Sequence, residues 1–232
     1  MARLLTVGGT FNPVHIGHLR LAIETREILG FDRVEWLPCY APRHKSGTGL
    51  LPFSLRLQLL RAAIADQIDD FVNDVECRLP TPSYTYQTLA ALAESGDGAE
   101  RSFVLGATEF AQLHKWHRGR EVLSHCDVIV GIRGGEVDLD AFGAAVAAAW
   151  TESRAVAAPA GALAAYELIA GRQAILLPLP KLEVSASLVR QRWLERRSLA
   201  HLLPPSVIDL LEAHHDLAAQ AWAAPRPCPE IP

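Results

Sequence analysis

The chain has 232 residues, half of them hydrophobic and about a fifth charged, which is enough apolar material for a substantial core and excludes disorder throughout. With 22 Lys+Arg against 26 Asp+Glu the formal charge is −4, so there is no broad basic field of the kind a nucleic-acid coat requires. A small phosphorylated ligand needs only a few local cations and stays compatible with that balance.

No stretch offers the ~20 mostly apolar residues of a membrane span, and the N-terminal apolar run before Gly8-Gly9 is too short for a signal peptide. Four scattered cysteines, Cys39, Cys77, Cys126 and Cys228, suggest neither a disulfide framework nor a thiolate zinc site. The expectation is a cytoplasmic protein with reduced thiols and no nucleic-acid or membrane partner; a homo-oligomer is left open.

Leu4–Val7 reads as a strand closed by Gly8-Gly9, and after Asn12-Pro13 a helix begins with Leu19, Ala22, Ile23 and Ile28 on one face. Arg33–Leu37 alternates like a strand and runs into a long Pro/Gly-rich loop, Pro38–Pro52. Leu55–Ala65 reads as an amphipathic helix with Ser54 as its N-cap. Phe71–Leu79 reads as extended, Tyr84–Ala93 as helical, and Ser102–Leu105 as a strand ending at Gly106 before a further helical stretch. Asp127–Ile132 is a buried strand ending at Arg133-Gly134-Gly135, and Ala174–Leu177 a late one. Ser187–Arg196 and Ser206–Ala219 read as helices, the second bounded by Pro204-Pro205. The Ala-rich stretches 141–149 and 155–165 carry no clear element, and residues 224–232, with four prolines, read as a flexible tail. Strands alternating with helices predict one α/β domain over residues 1–223: a doubly wound, mostly parallel sheet with helices on both faces, its C-terminal helices within 184–220.

The segment Gly8-Gly9-Thr10-Phe11-Asn12-Pro13-Val14-His15-Ile16-Gly17-His18 lies between the first strand and the first helix. Ligands of doubly wound sheets bind beyond the carboxyl ends of the strands. Glycines there allow backbone N–H groups to approach a phosphate, and a helix N-terminus adds a favourable dipole. His15 and His18, three apart, share a helix face and can donate to phosphate oxygens. Gly17 removes a side chain where a flat or bulky ligand would come close. No third ligand at metal-like spacing accompanies the two histidines.

This string resembles the signature of the HIGH-type nucleotidyltransferases, with a Rossmann-like fold, and further matches resemble the nicotinate-nucleotide adenylyltransferases. They are Pro38-x-x-x-Pro42-x-His44-Lys45, Pro82-Ser83-Tyr84-Thr85-x-Gln87-Thr88-Leu89, the spacing from Gly106 to Trp116, Val184-Ser185-Ala186-Ser187-Leu188-Val189-Arg190-x-Arg192, and Leu202-Leu203-Pro204. The resemblance implies transfer of AMP from ATP to the 5′-phosphate of nicotinate mononucleotide, with pyrophosphate released. Such transfers rely on alignment and charge neutralisation rather than covalent help.

By the same resemblance, His15 and His18 hold the α- and β-phosphates, and Arg190 with Ser185 or Ser187 grips the leaving end. Gly8, Gly9, Thr10 and Phe11 form the phosphate loop. Lys45 reaches the triphosphate tail, Arg133 the adenylate, and Gly106 and Thr108 the nucleotide. Tyr84, Thr85 and Trp116 receive the pyridine. Mg²⁺ rides mainly on the ATP phosphates, with no protein metal ligand. His15, His18, Lys45, Arg133, Arg190 and Arg192 are expected to converge at one end of the sheet.

The chain departs from the family pattern Gly-x-Asp at Gly106-Ala107-Thr108-Glu109. Threonine cannot accept two hydrogen bonds from a cis-diol as a carboxylate can, so ribose binding is weakened, rearranged or moved to Glu109. Cys39, Tyr40 and Arg43 also differ from the family's loop. Two alternatives stay open: nucleotidyl transfer to another phosphorylated acceptor such as phosphopantetheine, and a nucleotide-binding protein that has lost catalysis.

Overall fold

The computed structural model describes residues 1–42, 49–134, 138–169 and 171–223; the proposed tail at 224–232 lies outside them. Eight strands, β1 (Arg3–Gly9), β2 (Arg33–Pro38), β3 (Asp70–Val72), β4 (Glu100–Gly106), β5 (Asp127–Arg133), β6 (Arg154–Val156), β7 (Ala164–Glu167) and β8 (Gln173–Leu179), form one sheet in the order β3-β2-β1-β4-β5-β8-β7-β6. The pairings from β3 through to β8 are parallel, and β7 and β6 extend the sheet antiparallel.

On one face lie α1 (Ile16–Leu29), α2 (Phe53–Ala63), α7 (Ala186–Leu194), α8 (Pro205–Ala213) and α9 (His215–Ala223). They bring residues such as Ala22, Leu59, Val189 and Leu211 into one core with Leu5, Val7, Val34 and Trp36. On the other face α3 (Thr85–Glu94), α4 (Ala107–Leu113), α5 (Gly119–Val122) and α6 (Leu139–Ala149) bury Leu89, Leu113, Val122 and Val146 with Phe103, Leu105 and Val128. A strand covered on both faces buries its odd and even residues alike, which is why Leu4–Val7 reads as a near-continuous apolar run rather than an alternation. The doubly wound sheet expected from sequence is the observed one.

Several element boundaries differ from expectation. The second helix begins at Phe53, because the Leu55 and Arg56 amides already bond the Pro52 carbonyl; Ser54 is therefore inside the helix and not its cap. The extended reading of Phe71–Leu79 holds only to Val72. Asn73 Oδ1 accepts the Val75 amide at 3.0 Å, a side-chain turn that diverts the chain into a 3-10 turn at Val75–Arg78. The last predicted helix is two, α8 and α9, interrupted at His214 (φ −112, ψ 32). The Ala-rich stretch holds a genuine helix, α6, whose N-cap Asp138 accepts the Ala141 amide at 2.8 Å, and the short hairpin β6-β7.

One charged group sits in the middle of the sheet. Glu35 of β2 is fully buried and accepts from Thr6 Oγ1 (3.0 Å), Asn73 Nδ2 (2.9 Å) and Arg101 Nε (2.9 Å), tying β1, β4 and the turn after β3 to β2. Burial works against the Arg101 charge, but the hydrogen bonds it donates to Asp97 and Glu35 overcome this and hold the guanidinium above its usual pKa.

Candidate active site

Strands β1 and β4 are neighbours, yet the chain leaves β1 toward α1 on one face and β4 toward α4 on the other. Their carboxyl ends thus open a crevice at the topological switch point, where α/β sheets take their ligands.

The motif glycines have packing reasons. A Cβ at Gly8 would stand 2.8 Å from the Phe103 ring, and one at Gly9 2.9 Å from the Phe11 ring, so both are glycine because aromatic side chains occupy that space. Phe11 itself adopts a left-handed conformation (φ 47). Its ring is buried edge-on to His18 (5.1 Å) and Trp36 (5.7 Å); the side chain supports the site from beneath, and only its backbone belongs to the loop. Gly17, expected to face a ligand, instead faces Val184 and His15: a Cβ there would stand 2.8 Å from Val184 Cγ1 and 3.0 Å from His15 Nδ1. The first helix and the second signature meet at this point.

His15 is the N-cap of α1 and His18 its N3 residue. The Gly17 amide donates to His15 Nδ1 and the His15 amide to His18 Nδ1, both at 3.2 Å, a capping box built from two imidazoles. The rings stack with centroids 3.7 Å apart. A ring nitrogen that accepts an amide proton carries none of its own, so in each histidine Nε2 is the protonated nitrogen. With Nδ1 accepting in each ring, Nε2 is the nitrogen that can donate to a phosphate oxygen beside the helix N-terminus.

Asn12 knots the loop. Its Oδ1 accepts the Leu51 amide at 3.0 Å, its Nδ2 donates to the Gly49 carbonyl at 2.6 Å, and its own carbonyl accepts Arg190 Nη1 at 2.8 Å. Arg190 Nη2 reaches Ser187 Oγ at 3.0 Å, so one guanidinium joins the two signatures across most of the chain length. Ser185 caps α7, its Oγ accepting the Leu188 amide at 3.1 Å, and its hydroxyl is thereby committed to the helix. The segment singled out near Pro204 also serves the site, because the Leu202 carbonyl accepts the Ile16 amide at 3.0 Å at the start of α1.

The expected convergence of six cations is corrected at Arg192, whose Nε and Nη2 both bond the Ser198 carbonyl (3.0 and 2.9 Å): two residues along α7 from Arg190, it lies on a different side of the helix. Lys45 and the Arg133 side chain lie outside the described residues.

At the end of β4, Gly106 is the N-cap of α4. Thr108 and Glu109 are exposed. The Glu109 carboxylate folds back over Gly106, where an added Cβ would stand 2.5 Å from Oε2. On the same side of the sheet, Tyr84 precedes Thr85, the first residue of α3, and its ring lies 4.4 Å from His117. Tyr86 joins them under the Arg118 guanidinium, 4.3 Å away. Trp116 is half-buried against the α3–α6 core. Tyr86, His117 and Arg118 hold no position in the sequence motifs and come beside Tyr84 only through the fold.

Residues 6–192 match the family model described as Cytidylyltransferase-like. A protein of Pelobacter propionicus named "Probable nicotinate-nucleotide adenylyltransferase" is 34% identical over 201 residues, covering 87% of this chain and 91% of its own. Its namesake from Dechloromonas aromatica is 33% identical over 215 residues, with 89% and 94% covered. Among solved structures, the Plasmodium falciparum nicotinic acid mononucleotide adenylyltransferase complexed with NaAD superposes with a TM-score of 0.68 at 16% identity, covering 94% of this chain and 98% of that one, a likeness of fold. With the sequence relatives spanning nearly the whole chain, this protein belongs to the cytidylyltransferase-like nucleotidyltransferases and, within them, to the nicotinate-nucleotide adenylyltransferase family of NAD biosynthesis.

Proposed function

We propose that the crevice between β1 and β4 carries out the family's reaction with the residues described above. A phosphate oxygen of nicotinate mononucleotide attacks the α-phosphorus of ATP in line, the bond from that phosphorus to the α,β-bridging oxygen breaks, and pyrophosphate leaves. No proton need move, so the chain supplies alignment and donors. His15 and His18 donate through Nε2–H to the α- and β-phosphates, and Arg190 with Ser187 grips the departing pyrophosphate. Ser185 contributes through the helix start it caps. The backbone of Gly8, Gly9, Thr10 and Phe11 lines the adenylate side, with Lys45 and Arg133 as further phosphate contacts.

Glu109, folded over Gly106, takes the ribose hydroxyls in place of the missing aspartate, and Thr108 contributes one hydroxyl. Tyr84 and Trp116 flank the pyridine ring, and the first-turn amides at Thr85, which have no intrahelical acceptor, receive the pyridine carboxylate. Mg²⁺ enters as part of the Mg·ATP substrate. One domain over residues 1–223 holds both signatures. Both substrates are water-soluble anions, and the cytoplasm is the proposed compartment; no helix among the described residues is long and apolar enough to cross a membrane.

The observation that carries this reading is the joining of both signatures through Arg190 to Asn12 beside the histidine capping box. Pyrophosphate release, measured with Mg·ATP and either nicotinate mononucleotide, nicotinamide mononucleotide or phosphopantetheine, tests it. Turnover is expected with the first. Silence there, with turnover of another acceptor or of none, overturns the assignment.

A further inference from the structure

Arg56, on α2, is only 1% exposed, and among the residues assigned to phosphate or pyridine its side chain bonds Thr10, at the backbone carbonyl. Its guanidinium is spent on backbone carbonyls. Nη1 donates to Thr10 at 2.7 Å and to Cys39 at 2.7 Å, Nη2 to Tyr40 at 3.2 Å, and Nε to Leu51 at 3.1 Å. The ring of Phe53 lies under it at 5.3 Å. No carboxylate stands within ion-pair distance of it among the described residues, and a buried cation without an ion pair is costly. What that cost secures is geometry: Thr10 belongs to the loop after β1, Cys39 and Tyr40 to the loop after β2, and Leu51 to the approach to α2.

The peptide unit is planar and trans, so a carbonyl directed at Arg56 sends the following N–H the opposite way. The structure shows this at the second loop. Cys39 C=O faces Arg56, and the Tyr40 N–H donates on the far side to Glu76 Oε2 at 2.9 Å. Glu76 is itself buried and accepts Thr88 Oγ1 through its other oxygen at 2.9 Å. Ala41 continues the chain of contacts, its amide donating to Ser83 Oγ at 3.1 Å and its carbonyl accepting the Ser83 amide at 3.0 Å. The loop after β2 is thus held between Arg56 and the Pro-Ser-Tyr-Thr segment. At the first loop the same geometry turns the Phe11 N–H away from Arg56.

We propose that Arg56 is a positioning residue for AMP transfer: by holding the Thr10 carbonyl and the Cys39 and Tyr40 carbonyls on one guanidinium, it fixes the spacing between the adenylate loop and the loop that leads to the acceptor side. An in-line attack depends on that spacing, and an error of about 1 Å in placement can cost ~100-fold in rate. Each substrate alone can still settle in its own half of the site.

The proposal rests on the adenylyl-transfer reading, and the two fail differently: an inactive wild-type enzyme ends that reading, whereas an active wild type with an unaffected variant ends only the role of Arg56. The test uses Arg56→Lys, which keeps the charge and one or two of the bonds but not the fork, and Arg56→Met, which keeps the stem alone. Thermal unfolding and active-site titration with radiolabelled ATP establish the folded, competent fraction. Per competent site, kcat is expected to fall ~30-fold or more in Arg56→Lys and further in Arg56→Met, with KM for ATP and for nicotinate mononucleotide each within about threefold of wild type. Amide hydrogen exchange is expected to quicken at Phe11 and Tyr40 and stay unchanged in β4. A loss that disappears on normalisation to competent sites, or one carried by KM, overturns the proposal. If neither variant folds, Glu76→Gln, which weakens the opposite side of the same loop, must show the same fall in kcat at constant KM, and normal kcat there overturns it equally.

Discussion

His18 performs two tasks with two nitrogens, and they can be separated. Nδ1 accepts the His15 amide and completes the cap of α1, while Nε2–H is assigned to a phosphate oxygen. In His18→Asn the carboxamide oxygen stands where Nδ1 was and keeps the cap, but nothing reaches the Nε2 position. In His18→Gln the carboxamide nitrogen reaches the Nε2 position, but the His15 amide loses its acceptor. Loss of a helix cap costs ~1 kcal/mol, or ~2–4 °C in Tm for a domain of this size. Loss of a preorganised donor to a developing anion costs ~3–4 kcal/mol of barrier, ~10²–10³ in kcat. Pyrophosphate release under saturating substrates, paired with thermal unfolding, is therefore expected to find His18→Asn close to wild type in Tm and ~10²–10³-fold slower. His18→Gln should be ~2–4 °C less stable and intermediate in rate, and His18→Ala should carry both losses. An Asn variant with near-normal kcat, or a Gln variant no faster than Ala, would refute the division of labour between the two nitrogens.

Arg101→Met strips the fully buried Glu35 of its ion pair and is expected to cost ~3–5 kcal/mol in urea unfolding; a loss under ~1 kcal/mol would mean that Thr6 and Asn73 satisfy the carboxylate alone. Glu109→Gln is expected to raise KM for ATP ~10-fold and to leave KM for 2′,3′-dideoxy-ATP unchanged, since the carboxamide replaces one of the two charged acceptor oxygens with an NH₂ donor and can no longer take one hydroxyl on each oxygen; equal effects on both nucleotides would remove Glu109 from the ribose. Burial and the neighbouring Glu76 push the Cys39 thiol up to about 12, so at pH 8 roughly one molecule in ten thousand carries the thiolate there. Peptide mapping after iodoacetamide treatment should find exposed Cys77 modified well before Cys39, and equal labelling would contradict the assignment.

The parallel core of the fold was legible because its strands are short apolar runs closed by glycine, a pattern set by burial on both faces. Hairpin β6-β7 was not, because Arg154–Val156 and Ala164–Glu167 are too short and too Ala-rich to show a period, and the antiparallel register that brings Arg154 to 2.7 Å from Glu167 is set by tertiary pairing. The site shows the same division. His15, His18 and Arg190 were singled out by motif, and the structure places them together because each sits at or near a helix start. Arg56 could not be singled out, because α2 reads as an ordinary amphipathic helix, and the four carbonyls that define the role of Arg56 come from three separate stretches of chain. The glycines fall between these cases. They were read as making room for a ligand, but the space at Gly8 is taken by Phe103 and that at Gly17 by Val184, residues far away in sequence.

The composition arithmetic gains a different meaning from these placements. A phosphate site in a chain of net charge −4 was expected to be a concentrated cationic pocket, yet Arg192 turns to Ser198. Apart from Arg190, the described donors are two imidazole N–H groups, loop amides and the N-terminus of α1. Arg190 is the described cation that joins them, and it is itself fixed to Asn12 and Ser187. Fixed dipoles held by a hydrogen-bonded frame need no reorganisation when charge moves from the α-phosphate to the leaving pyrophosphate, whereas mobile surface cations would have to follow it. Alignment is then what these described groups contribute, and that is why the buried frame behind them, from Asn12 and Arg56 to Glu76, belongs to the proposed chemistry as much as the groups assigned to the nucleotide.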